Sequence, residues 1–405
     1  MNIKDVKSVG IIGGGPGGLM LGLLLQQQGY EVSIFEKAGL DVNRDRGGSL
    51  DIHEESGQLP LKETGIINRF RELARFEGED TRVLDKNGKV YYEETADPEV
   101  EGGRSEIDRG ELCDIIIEQL SEGTVVYGKA FESLRRLDNG QVEVSFVEGD
   151  TAEFDFVVGA DGAFSKVRPY LANVDVEYNG ISMVELNVED AYNQYPDLAT
   201  FNKNGKMMAF GDHKAILGQV NGDGRIKVYM SYQMDYEEFE KFKEMSKSEI
   251  KEQLLQDFSD WDEDLKKYIE YAGDDMLLRR IYKLPIGFKW ENQSNLTLIG
   301  DAAHLMSPFA GEGVNMAFYD AYLLAKALKE NNNLQDALKE YEASMYEASE
   351  QSASESQANL EEMFGDDAAQ KFGDFFNHIG ELFEEHQAQK LDNKSVSYTH
   401  LTLPT

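Results

Sequence analysis

Three clusters of glycine and acid residues carry the chemistry in this sequence. Gly13, Gly15 and Gly18 stand in the spacing Gly-x-Gly-x-x-Gly between the apolar run SVGII and the apolar run LMLGLLL. In that context Gly13 permits a tight turn. Gly15 lets a pyrophosphate approach the backbone, and Gly18 lets a helix pack closely on a strand. The phosphates would sit at the helix N-terminus, where free N–H groups and the dipole favour an anion. Glu36 closes the next strand, YEVSIFEK. An acid there accepts hydrogen bonds from ribose hydroxyls and disfavours a 2′-phosphate. A second cluster, Asp161-Gly162, follows the run FDFVVG and leads to Ser165 and Arg168. Taken alone it reads as an Asp-Gly turn after a strand.

The third cluster is GDAAHLMSPFAGEGVN, residues 300–315. Asp301 ends a strand, so its carboxylate can meet polyol hydroxyls. Pro308 offers a rigid apolar wall. Gly311 and Gly313 open the next helix and expose N–H groups that suit an electron-rich ring. His304 reads as structural. No side-chain nucleophile or catalytic base stands out, and no His/Cys cluster has metal-ligand spacing.

These clusters need particular elements to position them. The spacing predicts a strand, helix and strand over 8–37, forming a βαβ unit. A helix is expected over 57–77, a hairpin over 82–93, and a helix over 106–120 capped by Asp108. Strands are expected at 124–127, 131–137, 141–147, 154–159 and 295–301. Residues 171–235 alternate apolar and polar side chains between turn signals, the pattern of an antiparallel sheet with one face packed. Helical patterns cover 236–272, 314–330 and 334–363. The fold class is therefore α/β: one Rossmann-like domain in two sequence pieces around an inserted β-rich domain. The late stripe of Met363, Phe364, Phe372, Phe375 and Phe376 suits core or domain-bridging contact. The last residues, SVSYTHLTLPT (395–405), break from the acidic helical text before them and read as a non-native tail.

The chain has 405 residues, enough for two or three domains with real cores. Its 40 basic and 76 acidic residues give a net charge of −36. Such a surface repels phosphate backbones and anionic lipids, which argues against nucleic acid and membrane surfaces as partners. The single cysteine, Cys113, allows no internal disulfide and fits a reducing compartment. A soluble cytoplasmic protein is the expectation.

The three clusters, in this order, resemble the FAD-binding signatures of the class A flavin monooxygenases, the aromatic-hydroxylase family. GGSLDIHEESGQ (47–58), EIDR (106–109), FSDWDE (258–263) and the 300–315 motif resemble its tetracycline-inactivating branch. The resemblance implies an FAD-binding domain over 1–170 and 280–330, a substrate-binding domain over 171–279, and a C-terminal bridging helical segment over 334–385. It assigns FAD to Gly13, Gly15, Gly18, Glu36, Lys37, Arg44, Asp51, Arg109, Asp301, Pro308, Gly311, Gly313, Val314 and Asn315. Arg44 and Asp51 would flank the flavin and the nicotinamide approach, and Asp301 would bind the ribityl chain. Glu185, Lys206 and Met208 fall at substrate-contacting places. Where tetracycline-binding members carry Gln, Arg and His, this chain aligns Glu185, Lys206 and Val228. Lys206 keeps the charge and loses the bidentate fork of arginine.

The implied activity is monooxygenation of a small aromatic or polyketide-like molecule, with a tetracycline among the candidates. NADPH or NADH would reduce FAD, and O₂ would supply the transferred oxygen. No second strand–GxGxxG–helix is present to house the nicotinamide cofactor, which fits the same family. Two alternatives stay open at this point. One is a reductase or dehydrogenase of the same fold that does not use O₂. The other is a non-catalytic protein that binds FAD or a ligand.

Overall fold

The structure is a computed structural model, describing residues 1–40, 49–75, 80–95 and 104–378. The sequence-predicted positions Arg44 and 395–405 lie outside the described residues, as does the end of 334–385.

The N-terminal βαβ unit forms as its pattern requires. Strands Ser8–Ile12 and Glu31–Glu36 pair in parallel, and the helix Pro16–Gln27 crosses between them. Nearly every side chain of that helix is buried, because one side meets the sheet and the other meets a second helix, Gly313–Glu330. The parallel sheet has five strands, in the order Leu296–Leu298, Phe156–Gly159, Ser8–Ile12, Glu31–Glu36, Val125–Tyr127. The outer Leu296–Leu298 strand arrives almost 140 residues after its neighbour (Val157 pairs with Leu296). This joins the two sequence pieces into one layer. A three-stranded antiparallel sheet, Phe131–Arg136, Val142–Phe146 and Thr151–Phe154, caps it.

The second body is a seven-stranded sheet in the order Leu277–Lys283, Glu177–Val188, Ile226–Gln233, Lys214–Val220, Lys206–Gly211, Thr81–Asp85, Val90–Glu94. Two of its members come from outside 171–279, the span expected to hold it. The hairpin Thr81–Glu94 adds to strand Lys206–Gly211 in parallel, and Leu277–Lys283 forms the opposite edge. Local pattern shows a hairpin but cannot say which sheet edge completes it.

One face of this sheet buries Val184, Leu186, Met207, Ile216, Val228 and Met230 against the helices of 236–272, through Phe239, Leu254, Phe258 and Trp261. The other face carries Met183, Met208, Phe210, Leu217 and Tyr229. Its far end is covered by the C-terminal helices. The long helix Leu334–Met363 and the helical run 368–378 bring Leu360, Met363, Phe364 and Phe372 onto it. Phe372 stacks on Phe210 at 5.3 Å, and Phe376 stacks on Tyr92 at 5.1 Å. Phe375 points outward. The aromatic stripe is thus mostly packing, as its spacing suggests.

Several boundaries differ from the sequence expectation. The helix expected over 57–77 is two short helices, Gln58–Glu63 and Ile67–Leu73, and the strand expected over 295–301 stops at Leu298, so Asp301 opens a one-turn helix rather than ending a strand. Residues 104–108 form a strand paired with Ser49–His53, and the helix begins only at Arg109. Asp108 does not cap that helix. It bonds Arg75 at 2.8 Å and accepts from the Gly222 N–H at 3.2 Å instead. Among the described residues no helix is long and apolar enough to cross a membrane, and no group of three or more His, Cys, Asp or Glu could hold a metal ion.

Removing the Phe372 ring should undock the last helix while both sheets persist. Truncating a buried Phe to Ala costs about 3–5 kcal/mol where the site cannot collapse. Limited proteolysis of Phe372→Ala should therefore cut near Gly365 much faster than in the parent chain. Equal cleavage rates would show that this contact does not hold the segment.

Candidate active site

At the phosphate end, Gly13 takes φ +115°, and a Cβ there would meet Ala160 O at 2.1 Å. A Cβ on Gly18 would meet Gly13 O at 2.1 Å. Both positions therefore demand glycine for steric reasons alone. At Gly15 a Cβ would meet nothing within 4 Å. No side chain caps the helix that starts there, and Pro16 occupies its first position. An uncapped helix N-terminus facing open space is the arrangement an anionic pyrophosphate fits. Glu36 lies beside it, accepting from Gly14 N–H at 2.9 Å and from Ala38 N–H at 2.8 Å. Each carboxylate oxygen keeps a lone pair for a ribose hydroxyl. Lys37 follows on the exposed surface.

The middle of the site is a tight turn. Asp161 accepts from Ser165 Oγ at 2.5 Å and Lys166 N–H at 2.7 Å, which shapes the Asp-Gly loop. That loop delivers Arg168, fully within the protein, to the carbonyls of Ala302 and Asp301 at 2.8 and 3.1 Å. Asp301 is recessed. Burial pushes its carboxyl upward, offset by the charges of His304, Arg109 and Arg168. Arg109, at the first position of the helix Arg109–Ile117, therefore shares a field with Asp301 although 192 residues separate them.

At the other end, the short helix Pro308–Ala310 leads through Gly311 into the helix Gly313–Glu330, which also lacks a side-chain cap. A Cβ on Gly313 would again meet open space. Val314 follows, buried. The Asn315 side chain is wholly enclosed and turned toward protein. Its Oδ1 accepts from His53 N–H at 2.9 Å, and its Nδ2 donates to Asp51 O at 2.9 Å and Gly311 O at 3.1 Å. Asn315 thus fixes the strand Ser49–His53 against the glycine loop, which brings the Asp51 carboxylate to Gly311.

The sequence singles out Lys206 but not the other charges that surround Asp51, nor their meeting. Lys206 Nζ lies 3.4 Å from Asp51 Oδ2 and 3.0 Å from Glu106 Oε1. Gln219 also donates to Glu106, whose second oxygen is buried without a hydrogen bond. His53, fully buried, sits 3.5 Å from Asp51 and 3.1 Å from Glu312. Burial alone would lower the His53 pKa, but Asp51 and Glu312 outweigh it and raise it to about 9. Burial would raise the Asp51 pKa, yet Lys206 and His53 hold it well below the carboxylate range. Lys206 is likewise kept protonated by Glu106 and Asp51 against burial. His53 could have been found from HEES in the 47–58 motif; Glu106 carries no signal beyond its place in EIDR.

Met208 and Lys206 share the open face of the large sheet, as alternation requires. Val228 does not. It pairs with Leu186 and Gly218 on the helix-packed face, and its neighbours Lys227 and Tyr229 face the site. In a strand, a shift of one residue exchanges the faces, so Val228 belongs to the helix-packed core and not to the open face. Glu185 is on the open face but committed: Lys227 Nζ lies at 2.7 Å and Arg279 Nε donates to the other oxygen. What this place presents outward is the guanidinium of Arg279, 39% exposed.

The charge on His53 sets a pH dependence. Its folded pKa lies above the ordinary 6.5, so its contribution is complete below about 6.5 and disappears as pH rises through about 9. Up to about 3 kcal/mol of stability should fade across that window. His53→Gln should flatten that limb of a stability profile measured by urea unfolding from pH 6 to 10. An unchanged slope would mean that His53 is not charged in the folded protein.

The site has relatives. Residues 6–356 match the family described as FAD binding domain. Monooxygenase asqM of Emericella nidulans is 27% identical over 387 residues, covering 80% of this chain and 84% of its own. Klebsiella pneumoniae HpxO, solved with FAD and uric acid, superposes with a TM-score of 0.76 at 19% identity, over 91% of this chain and 92% of its own. Tetracycline destructase Tet(51) superposes with a TM-score of 0.66 at 20% identity, over 99% of each chain. These superpositions establish the α/β fold with its separate β-rich sheet. With the match running through all three motif clusters, the chain belongs to the FAD binding domain family, that of the class A flavin monooxygenases.

Proposed function

We propose that the protein is an NAD(P)H-dependent monooxygenase that hydroxylates a small aromatic or polyketide-like molecule, a tetracycline being one candidate. The observation that carries this reading is the pairing of two open, uncapped helix N-termini, at Gly15 and Gly313, with the recessed Asp301 between them. Those residues fit FAD. Gly13, Gly15 and Gly18 would cradle the pyrophosphate, Glu36 the adenosine ribose, and Asp301 the ribityl chain. Pro308, Gly311, Gly313 and Val314 would border the ring, with Arg109 and Lys37 supplying positive charge. Bound there, FAD supplies redox chemistry that passes electrons from NAD(P)H to O₂ and leaves one oxygen atom on the substrate.

The chain itself binds, orients and excludes water. Phe309, beside the glycine loop, joins the apolar cluster that also includes Met208, Leu217 and Tyr229 of the sheet, and its ring meets that of Phe364 at 5.7 Å. A planar apolar molecule held between loop and sheet would be shielded from solvent. Lys206 and Arg279 set the polar limits of that face. Asn315 and Asp51 keep the loop and the paired strands in register, so the reacting ring and substrate keep one geometry.

Purified protein should retain or take up FAD and oxidise NADPH or NADH in the presence of a substrate drawn from phenols, polyketides and tetracyclines. With isotopically heavy O₂, mass spectrometry should find one heavy oxygen in the product. Loss of the reading would follow from absent FAD binding. Substrate turnover that proceeds equally well without O₂ would favour a reductase.

A further inference from the structure

The helix Gly313–Glu330 directs a single charged side chain inward, that of Asp320, which is fully buried. Its Oδ2 accepts from the Gly300 N–H at 2.7 Å and lies 2.6 Å from His304 Nε2. Those two groups bracket the one-turn helix Asp301–His304. Arg168 holds the same turn from the opposite side, through the carbonyls of Ala302 and Asp301. The turn is thus held at its start and at His304 by a buried acid and at the Asp301 and Ala302 carbonyls by a buried base, while no protein group is hydrogen-bonded to the Asp301 carboxylate among the described residues. The turn is built to present that carboxylate.

Charge sign alternates through the assembly: Arg168, Asp301, His304, Asp320. Burial would deprotonate His304, but the adjacent Asp320 carboxylate outweighs it and raises its pKa. The imidazolium so maintained is one of the charges that oppose the upward push of burial on Asp301. Two atoms of the pair, His304 Nδ1 and Asp320 Oδ1, are buried without hydrogen bonds. A contact kept only for stability would satisfy them, since an unpaired buried polar atom is destabilising. This one leaves stability on the table and preserves the placement of the turn.

We infer that Asp320 is a positioning residue for the cofactor: through Gly300 N–H and His304 it fixes the direction of the Asp301 carboxylate toward the ribityl hydroxyls. The inference rests on the reading that Asp301 holds FAD. It does not require that Asp320 touch FAD, and its effect must pass through Asp301.

The test is FAD titration of the apoprotein, followed by flavin fluorescence, for the parent chain, Asp301→Ala, Asp320→Asn and the double variant. Leu254→Ala, in the helices behind the large sheet, serves as a control that is destabilised far from the site. Losing a hydrogen bond to a charged group corresponds to roughly 10–100-fold in affinity, so Asp301→Ala should weaken FAD by about that factor. Asp320→Asn keeps an acceptor but removes the charge, and should weaken FAD by about 10-fold. The double variant should be no weaker than Asp301→Ala, because residues that act through one another are not additive. Leu254→Ala should lower Tm and leave FAD affinity unchanged. Asp320→Ala, if it folds, should bind FAD less well than Asp320→Asn. Parent-like affinity in Asp320→Asn beside a weakened Asp301→Ala would overturn the inference and leave the Asp301 reading intact. Additive losses in the double variant would do the same. Parent-like affinity in Asp301→Ala would instead remove the reading on which the inference stands.

Discussion

The backbones of three elements converge on Ala317. A Cβ on Gly17, in the first helix, would lie 3.0 Å from the Ala317 Cβ, and a Cβ on Gly300 would lie equally close. A side chain at Gly17 or Gly300 would press on Ala317 more tightly than ordinary packing allows, so the neighbour would have to give by a few tenths of an ångström. This close approach holds the N-terminal helix, the Asp301 turn and the glycine-loop helix at one distance from one another. The uncapped ends at Gly15 and Gly313 and the carboxylate between them keep their spacing because of it.

Around this centre the protein sets charges of opposite sign together in small groups. The surface is strongly acidic, yet the groups near the site come as Lys206 with Asp51 and Glu106, His53 with Glu312, His304 with Asp320, and Glu185 with Lys227 and Arg279. Buried ion pairs add little net stability over apolar packing, but breaking one is strongly destabilising, so they specify arrangement more than they strengthen it. Lys206 does this across the seam. It is on the large sheet, and its partners are on the two-stranded ribbon that Asn315 ties to the glycine loop. The face that would meet a substrate is thereby kept in register with the loop that would hold the ring.

The same geometry separates what was legible in the motifs from what was not. Gly13 and Gly18 could be read directly, since glycine spacing beside a strand reports a local steric need, whereas the one-turn helix that Asp301 opens could not. Asn315 looked like a ring contact because it belongs to the motif. Its enclosed amide instead supports the neighbouring strand. Val228 belongs to the helix-packed core, and which face a strand residue takes depends on a register that one position can reverse. Glu185 looked available. Its two cationic partners come from other strands of the sheet, and no local pattern shows that they meet it.

By itself the sequence determined the βαβ unit, the three motif clusters, the split α/β domain and the alternation of the large sheet. These follow from periodicity and from glycine or proline at positions where the backbone allows little else. Only tertiary structure decided which strands complete the large sheet, which face each residue takes, and which acid neutralises which base. Those outcomes depend on contacts between residues 100 or more apart, such as Lys206 with Asp51 and Arg168 with the Asp301 turn. Charge pairing has no periodic signature in a chain this rich in acids. Nearly any basic residue has an acid near it in sequence, and burial alone selects the pair that matters.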